Sequence, residues 1–401
     1  MKILVISQFF APDVTAAAFR ISETVTILQR AGHAVVVVTS EPHKAVIPGH
    51  ADSSSVSDDV LRVRLLPVGK GGLWRYVLHY MSFSVGSIWQ AIKLRKNGRW
   101  APDVLWVTSP PLFSGLAGVF VSAFFRCPMV LDVRDIWPDS AVAAGQLRRN
   151  SLAYSLGKWM EKKLYSKASA ITCVSRPMAS YIEKNGGRAV HVIYNGVDAL
   201  SKGRQRGFGA ERRLVYAGNL GRVQGLEMLL DSFELLLSDK KYRGWSVVLI
   251  GAGANEKQLV ARVSRSTTLK TNVHFLGPMK KDEVARYLAE SAVLFLNLSD
   301  AEVFSLTIPS KVFDYMLAGR PIIFGIEGEG REILEASGAN IYFRPSDGGR
   351  FLVALKNMID GISTYESRAH RNRDKVLSDF KRDAQARRLE KILMGVAPKS
   401  L

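Results

Sequence analysis

Runs of aliphatic residues alternate with stretches of helical periodicity along almost the whole chain. MKILVIS has the pattern of a buried strand, and in AAAFRISETVTILQRAG the apolar residues recur at the 3.6-residue spacing of an amphipathic helix. The strand pattern returns in HAVVVVTS, DVLWVTS, MVLDVRD, ASAITCVS and AVHVIYN. Strands that are apolar on both faces and separated by helices predict parallel sheets covered on both sides. After Asn195-Gly196-Val197-Asp198 the texture becomes polar and unperiodic (SKGRQRGFGAERR), as in a linker. The alternation then restarts with RLVYAGN, LEMLLDSFELLL, WSVVLIGAG, NVHFLG, DEVARYLAES, AVLFLNL, PSKVFDYMLAGRPIIF and a last strand near IYF.

These elements predict an α/β fold of two Rossmann-like, doubly wound parallel-sheet domains, residues 1–198 and 213–378, joined by a linker at 199–212. The charged, amphipathic DFKRDAQARRLEKILMG within residues 379–401 is expected to form a closing helix that returns to the N-terminal domain. Ligands of such sheets sit outside the carboxyl ends of the strands, so two facing domains place a cleft between them. Residues 104–125 carry no charge and are long enough to span a bilayer. Pro110 and Pro111 inside that stretch predict a buried strand, a turn and a buried helix instead. No signal-peptide pattern opens the chain, which reads as cytoplasmic.

Composition narrows the partners. A hydrophobic content of 47% and a charged content of 23% are those of a folded globular protein, and 401 residues suffice for two cores. The net charge of +19 is spread along the chain, with 23 Lys/Arg against 13 Asp/Glu in residues 1–200. Such a balance suits an anionic ligand, an anionic membrane face or simply a solvated basic surface. No zinc-finger, helix-turn-helix or aromatic-basic RNA motif accompanies it, so no nucleic-acid partner is expected. Cys127 and Cys173 lie in apolar runs as free thiols, and the histidines form no i, i+4 metal pair, so no metal site is expected.

Candidate chemistry collects at strand ends. VYAGNLGRVQG sets Gly218, Asn219, Arg222 and Gln224 between a strand and a helix, where small residues let backbone amides approach a phosphate and Arg222 can add charge; an ordinary glycine-rich turn has the same look. Gly253 in IGAGANEKQL repeats the idea, and Pro278-Met279 can offer backbone groups and apolar cover to a nucleobase. In PSKVFDYMLAGRPIIF, Pro309 fits a first helical turn and Ser310 an N-terminal cap. Lys311 and Asp314 share a helix face, where Lys311 can meet a pyrophosphate and Asp314 two ribose hydroxyls, or the two can form a surface ion pair worth under about 1 kcal/mol. In the first half, LDVRDIWPDS places Asp132, Arg134, Asp135 and Trp137 at a strand end, with Arg134 and Asp135 as candidate catalytic groups and Asp132 and Trp137, like Arg20, as candidates on the acceptor side; a purely structural Arg134–Asp pair is the alternative. Arg20, after the first strand, is a candidate anion contact. Residues 71–100 interleave aromatics with basic residues and read either as core helices with a basic end or as a segment lying on an anionic bilayer.

The ordered set AGHAVVVVTS, LDVRDIWPDS, ITCVSRPM, HVIYNGVD, LVYAGNLGRVQGLEMLL, VLIGAG, HFLGPM and PSKVFDYMLAGRPII resembles the retaining GT-B glycosyltransferases of family 4 along essentially the whole chain, in the branch that builds bacterial surface polysaccharides such as O-antigen, lipopolysaccharide or capsule. The resemblance implies a nucleotide-sugar donor, usually UDP-linked, in the C-terminal domain. It also implies a saccharide or polyprenyl-diphosphate-linked acceptor in the N-terminal domain, at the cytoplasmic face of the inner membrane, with peripheral membrane contact. Transfer of a hexosyl or N-acetylhexosaminyl group with retention needs no metal and no cofactor.

By position, the resemblance places Asp314 at the ribose, the Gly218 loop at the diphosphate and Pro278-Met279 at the base. The family's glutamate eight residues before Asp314 is Leu306 here; its arginine and lysine fall at Asn219 and Gln224, and its histidine at Arg134. Arg222 and Lys311 are therefore expected to balance the leaving diphosphate, and Glu302 is a candidate for the lost glutamate. Two other readings stay open: a UDP-sugar 2-epimerase of the same architecture, and a non-catalytic protein that binds anionic polymers.

Overall fold

The computed structural model describes residues 1–13, 15–42, 59–67, 73–96, 100–198 and 211–398. Most of the expected linker, part of the 71–100 segment and the chain's last three residues lie outside these. Two compact units emerge, Met1–Tyr194 with Asp383–Leu401, and Asn195–Arg382.

The N-terminal unit contains strands β1 (Lys2–Ile6), β2 (Ala34–Ser40), β3 (Val60–Val63), β4 (Val104–Ser109), β5 (Met129–Val133), β6 (Ala170–Cys173) and β7 (Val190–Val192). Its helices are α1 (Ala16–Arg30), α2 (Leu73–Lys96), α3 (Leu112–Phe125), α4 (Asp139–Ala143), α5 (Leu152–Lys167) and α6 (Arg176–Lys184). All neighbouring strands are parallel, in the order β3-β2-β1-β4-β5-β6-β7. Ile3, Val5, Trp106 and Val130 pack one face of this sheet against Ile21, Val25 and Leu28 of α1. The charge-free stretch 104–125 divides into β4, a Pro110–Pro111 turn and α3, and among the described residues no helix is long and apolar enough to cross a membrane.

The C-terminal unit contains β8 (Glu211–Ala217), β9 (Ser246–Ile250), β10 (Val273–Gly277), β11 (Ser291–Asn297), β12 (Ile322–Gly325) and β13 (Ile341–Tyr342). Around them lie α7 (Leu226–Ser238), α8 (Glu256–Ser264), α9 (Thr267–Asn272), α10 (Lys281–Glu290) and α11 (Glu302–Ser305). There follow α12 (Lys311–Ala318), α13 (Glu329–Glu335), α14 (Gly348–Asp360) and α15 (Ile362–Asp379). This sheet is also parallel, ordered β10-β9-β8-β11-β12-β13. Strand order reverses between β1 and β4 in one sheet and between β8 and β11 in the other. A parallel sheet opens a crevice at such a reversal, because helices leave to opposite faces there.

Two boundaries differ from the sequence reading. Residues 195–198 belong with the second unit, because the Val197 amide donates to the Phe380 carbonyl at 2.8 Å and the Arg382 amide donates to the Val197 carbonyl at 2.8 Å. The second sheet also starts earlier than expected, β8 beginning at Glu211. The last helix, α16 (Arg382–Val396), returns to the first unit. Leu389 and Leu393 enter its core, His33 Nε2 lies 2.7 Å from Glu390 Oε1, and the Tyr194 amide donates to Gln385 Oε1.

Candidate active site

In the C-terminal unit, the loops after β8 and β9 are locked together by backbone contacts that only glycine permits. Gly218, just past β8, has φ +140°, and Gly251, just past β9, has φ +123°. A Cβ on Gly251 would stand 2.0 Å from the Gly218 carbonyl oxygen. Gly218 donates to the Ile250 carbonyl, Gly251 to that of Gly277 and Leu220 to that of Ala252. The expected phosphate loops thus form one layer of backbone over three adjacent strand ends, in which these three amides are already paired and serve to fix the loops.

Helix α12 brings Lys311 to this layer. Tyr315 Oη accepts from the Ala217 amide at 2.8 Å and fastens the helix to β8. Lys311, one turn earlier, lays its Nζ 5.0 Å from the centre of the Tyr216 ring, while Tyr216 Oη donates to the Asn219 carbonyl and shapes the turn. Burial pushes the Lys311 ammonium down to about 8, against a smaller opposing pull from Asp314. Asp314 itself is exposed on the same helix.

Ser310 does not cap α12 with its side chain as expected. Its backbone is already helical (φ −55°, ψ −29°), and the Val312 and Phe313 amides bond to the carbonyls of Pro309 and Ser310. The tight turn satisfies those donors, so the hydroxyl is not needed.

Arg222 is exposed on a short 3₁₀ turn (Arg222–Gln224), and Asn219 is exposed beside it. Gln224 is buried, and its Oε1 has no hydrogen-bond partner. Neither has Asn297 Oδ1 at the end of β11, nor Ser299 Oγ. Asn297 Nδ2 donates to the Gln224 carbonyl at 3.2 Å, and the Ser299 amide to that of Val223 at 2.7 Å. Three buried polar atoms without partners, gathered at the β8–β11 reversal, mark a place where a polar ligand would be bound. Sequence reasoning passed over Asn297 and Ser299; the available signal was a polar N-L-S following the apolar run AVLFL.

Gly253 approaches Leu220 so closely that a Cβ would stand 2.4 Å from its carbonyl oxygen, whereas Pro278 is exposed and Met279 half-buried past β10. Glu302 opens α11 and, with Asp300, Phe304 and Glu327, lines a cavity of ≈ 270 Å³ at the ends of β11 and β12.

In the N-terminal unit, the β5 end is organised around Asp132, which is 1% exposed. Its Oδ2 accepts from Arg20 at 2.5 Å and from Arg134 Nε at 2.9 Å, and its Oδ1 from Thr172 at 2.7 Å. Burial works to raise the carboxyl's pKa, but the two guanidiniums and Thr172 outweigh it and hold the group ionised below its ordinary value. Asp132, expected on the acceptor side, is thus buried and holds two arginines. Arg20, expected as an open anion contact, is itself buried on α1 with its guanidinium 5.9 Å from the Trp106 ring. The structural Arg134–Asp pair exists, and Arg20 shares the same carboxylate oxygen.

Asp135 behaves differently. Burial pushes its carboxyl up to about 6, bonds from Ser140 and the Ile136 backbone compensate only in part, and its Oδ1 has no partner. Trp137, two residues on, is partly exposed. Asp139, the third acid of LDVRDIWPDS, is tied down by Tyr154, Lys158 and Tyr181 and anchors the loop to α5 and α6.

Residues 15–196 match the "glycosyl transferase 4-like domain" family and residues 211–360 the "glycosyl transferases group 1" family. The chain is similar to the probable glycosyltransferase WbjE of Pseudomonas aeruginosa, 26% identical over 302 residues, 70% of this chain and 72% of that one. It is also similar to the putative colanic acid biosynthesis glycosyl transferase WcaI of Escherichia coli K12, 22% identical over 80% of this chain and 82% of that one. Among solved structures, HepE of Anabaena in complex with UDP-glucose superposes with a TM-score of 0.71 at 17% identity, covering 98% of this chain and 100% of that one. With two parallel sheets of matching fold and a family domain in each half, the chain belongs to the GT-B glycosyltransferases of family 4.

Proposed function

We propose that this protein transfers a hexosyl or N-acetylhexosaminyl group from a UDP-linked donor to a saccharide or polyprenyl-diphosphate-linked acceptor, with retention, during assembly of a bacterial surface polysaccharide. The observation that carries the reading is Lys311, a desolvated ammonium held over the glycine layer at the end of β8. A cation in such a place gains most from an anion whose charge grows during reaction. The HepE complex with UDP-glucose and the polysaccharide role in the name of WcaI support the donor class and the pathway.

In this scheme the backbone around Gly218 and Gly253, together with Asn219, Gln224 and the Pro309–Ser310 turn, receives the diphosphate. Lys311 and Arg222 balance its charge as it leaves, Asp314 binds the ribose, and Pro278 and Met279 cover the base. As the bond from the sugar's anomeric carbon to the phosphate oxygen breaks, a new bond forms on the same face to the acceptor oxygen. The acceptor's proton passes to the departing phosphate oxygen, and UDP leaves. No protein base, metal or cofactor is then required. On the acceptor side, the two guanidiniums of Arg20 and Arg134, held together by Asp132, suit a phosphorylated carrier, with Asp135 and Trp137 beside it. The protein works at the cytoplasmic face of the inner membrane as a peripheral protein.

A thermal-shift panel of UDP-sugars followed by turnover of the best binder, with chelator present, tests this. Stabilisation by a UDP-sugar, and release of UDP that depends on Lys311, are expected. No stabilisation by any nucleotide, or undiminished turnover in Lys311→Ala, overturns the reading, and isomerisation of the donor without UDP release assigns an epimerase instead.

A further inference from the structure

Helices α2, α3 and α5 pack side by side in one layer of the N-terminal unit, with α3 in the middle. Ser84 of α2 donates to the Phe113 carbonyl of α3 at 2.7 Å, and the Arg95 guanidinium lies 4.7 Å from the Phe124 ring. The outer face of this layer is unusually apolar for one in contact with water. On α2, Leu78, Met81, Val85 and Trp89 are exposed at helical spacing and form a single stripe. On α5, Leu152, Leu156 and Trp159 do the same, Leu152 being 90% exposed, and Phe120 of α3 is exposed between them. Eight of the thirteen large hydrophobic residues exposed among the described residues belong to these three helices.

Charge accompanies the stripes in an equally one-sided way. Arg75, Lys93, Arg95 and Lys96 on α2 are exposed, as are Lys162, Lys163 and Lys167 on α5 and Arg126 at the end of α3. The three helices together contain one acid, Glu161, which is 0% exposed and paired with Lys158. Lys93 lies 5.3 Å from the Trp89 ring, so the long side chain can lie along the apolar stripe with its ammonium in water.

From these observations we infer that the α2–α3–α5 face is the surface by which the protein sits on a bilayer rich in anionic phospholipid. Exposed aliphatic rows with tryptophans enter the boundary between headgroups and acyl chains, and lysines and arginines without competing acids meet the phosphates. A soluble protein partner would need its own acidic and apolar match, whereas an anionic bilayer offers both at every point. The placement also serves the acceptor: His79 of α2 reaches Gln8, just beyond the carboxyl end of β1, so the stripe begins beside the strand ends of this unit. This inference rests on the lipid-linked acceptor proposed above only for its purpose; the surface itself is tested independently.

The full chain is sedimented with vesicles of phosphatidylcholine with and without phosphatidylglycerol. Binding is expected with phosphatidylglycerol, weakened by salt, and reduced at least about tenfold in the double variant Trp89→Ser/Trp159→Ser. Stabilisation of that variant by UDP is expected to be unchanged. Quenching of the native protein's fluorescence by brominated acyl chains, diminished in Trp89→Phe/Trp159→Phe, supplies a reading that does not depend on the serine variant folding. Absence of binding to phosphatidylglycerol vesicles overturns the inference, as does undiminished binding by the folded double variant. Self-association that the double variant loses, without vesicle binding, overturns it in favour of a second copy of the chain. Vesicle binding by a protein that no UDP-sugar stabilises leaves the surface standing and removes the transferase reading.

Discussion

Lys311 Cε lies 2.2 Å from the point where a Cβ on Gly218 would stand, so the lysine occupies the space that glycine leaves open. The two residues form one device: Gly218 supplies a backbone bend at φ +140° and a gap, and Lys311 fills the gap with a cation.

Replacement of Gly218 by alanine therefore perturbs both halves. The strained φ alone costs about 1–3 kcal/mol, and the lysine must leave its place over Tyr216. Gly218→Ala is expected to melt earlier and to lose stabilisation by UDP; retention of both would show that the contact is unimportant.

Lys311 also sets a pH dependence. Its ammonium titrates near 8 in the folded chain, below the ordinary 10.5, and a bound diphosphate favours the charged form. Donor affinity should fall as pH rises through about 8, and Lys311→Arg should remove that fall. Stability moves the other way. Between about 8 and 10.5 the unfolded chain binds more protons than the folded one, so the free energy of unfolding rises with pH across that window. Lys311→Ala should lower kcat by about 10²–10³-fold, the usual loss for removing one transition-state donor.

Asp135 gives the opposite kind of window. Its folded pKa of about 6 lies above the ordinary 3.8, so the folded chain binds the extra proton and stability declines as pH rises from about 4 to about 6. Asp135→Asn should flatten this decline and melt later than the native protein at neutral pH. Acceptor turnover should drop while stabilisation by UDP is kept, measured on the same preparation.

At Asp132, removal of the carboxylate takes from two guanidiniums the buried anion they share. Asp132→Ala should lose about 3–5 kcal/mol by urea denaturation, as expected when one partner of a buried pair is deleted. A loss under about 1 kcal/mol would place the arginines in water and undo their assignment to the acceptor side.

How much of this was legible beforehand varies with the range of the interaction. Continuous runs such as VVVV and VLIG announced parallel strands, because a strand buried on both faces must be apolar throughout. Even so, β3 was missed: Val60–Val63 is short, lies at the sheet edge and is only partly buried, so its pattern is weak. The glycine loops were recognisable as possible phosphate sites, yet nothing local distinguished them from plain turns. Ser310 looked like a cap and is not one, because the backbone turn had already used the amides.

The sequence by itself determined two parallel sheets, the loops at their carboxyl ends and the family, since these follow from periodicity and from residues close together in the chain. Only the tertiary structure decided which far-separated residues meet. It set Lys311 against Gly218, turned Arg20 and Arg134 inward onto one carboxylate, left Asn297 and Gln224 with unmatched atoms, and lined up the apolar stripes of α2 and α5 across α3. The reason is physical: burial and partner geometry set the charge state and orientation of a polar side chain, and both arise only when separate elements pack.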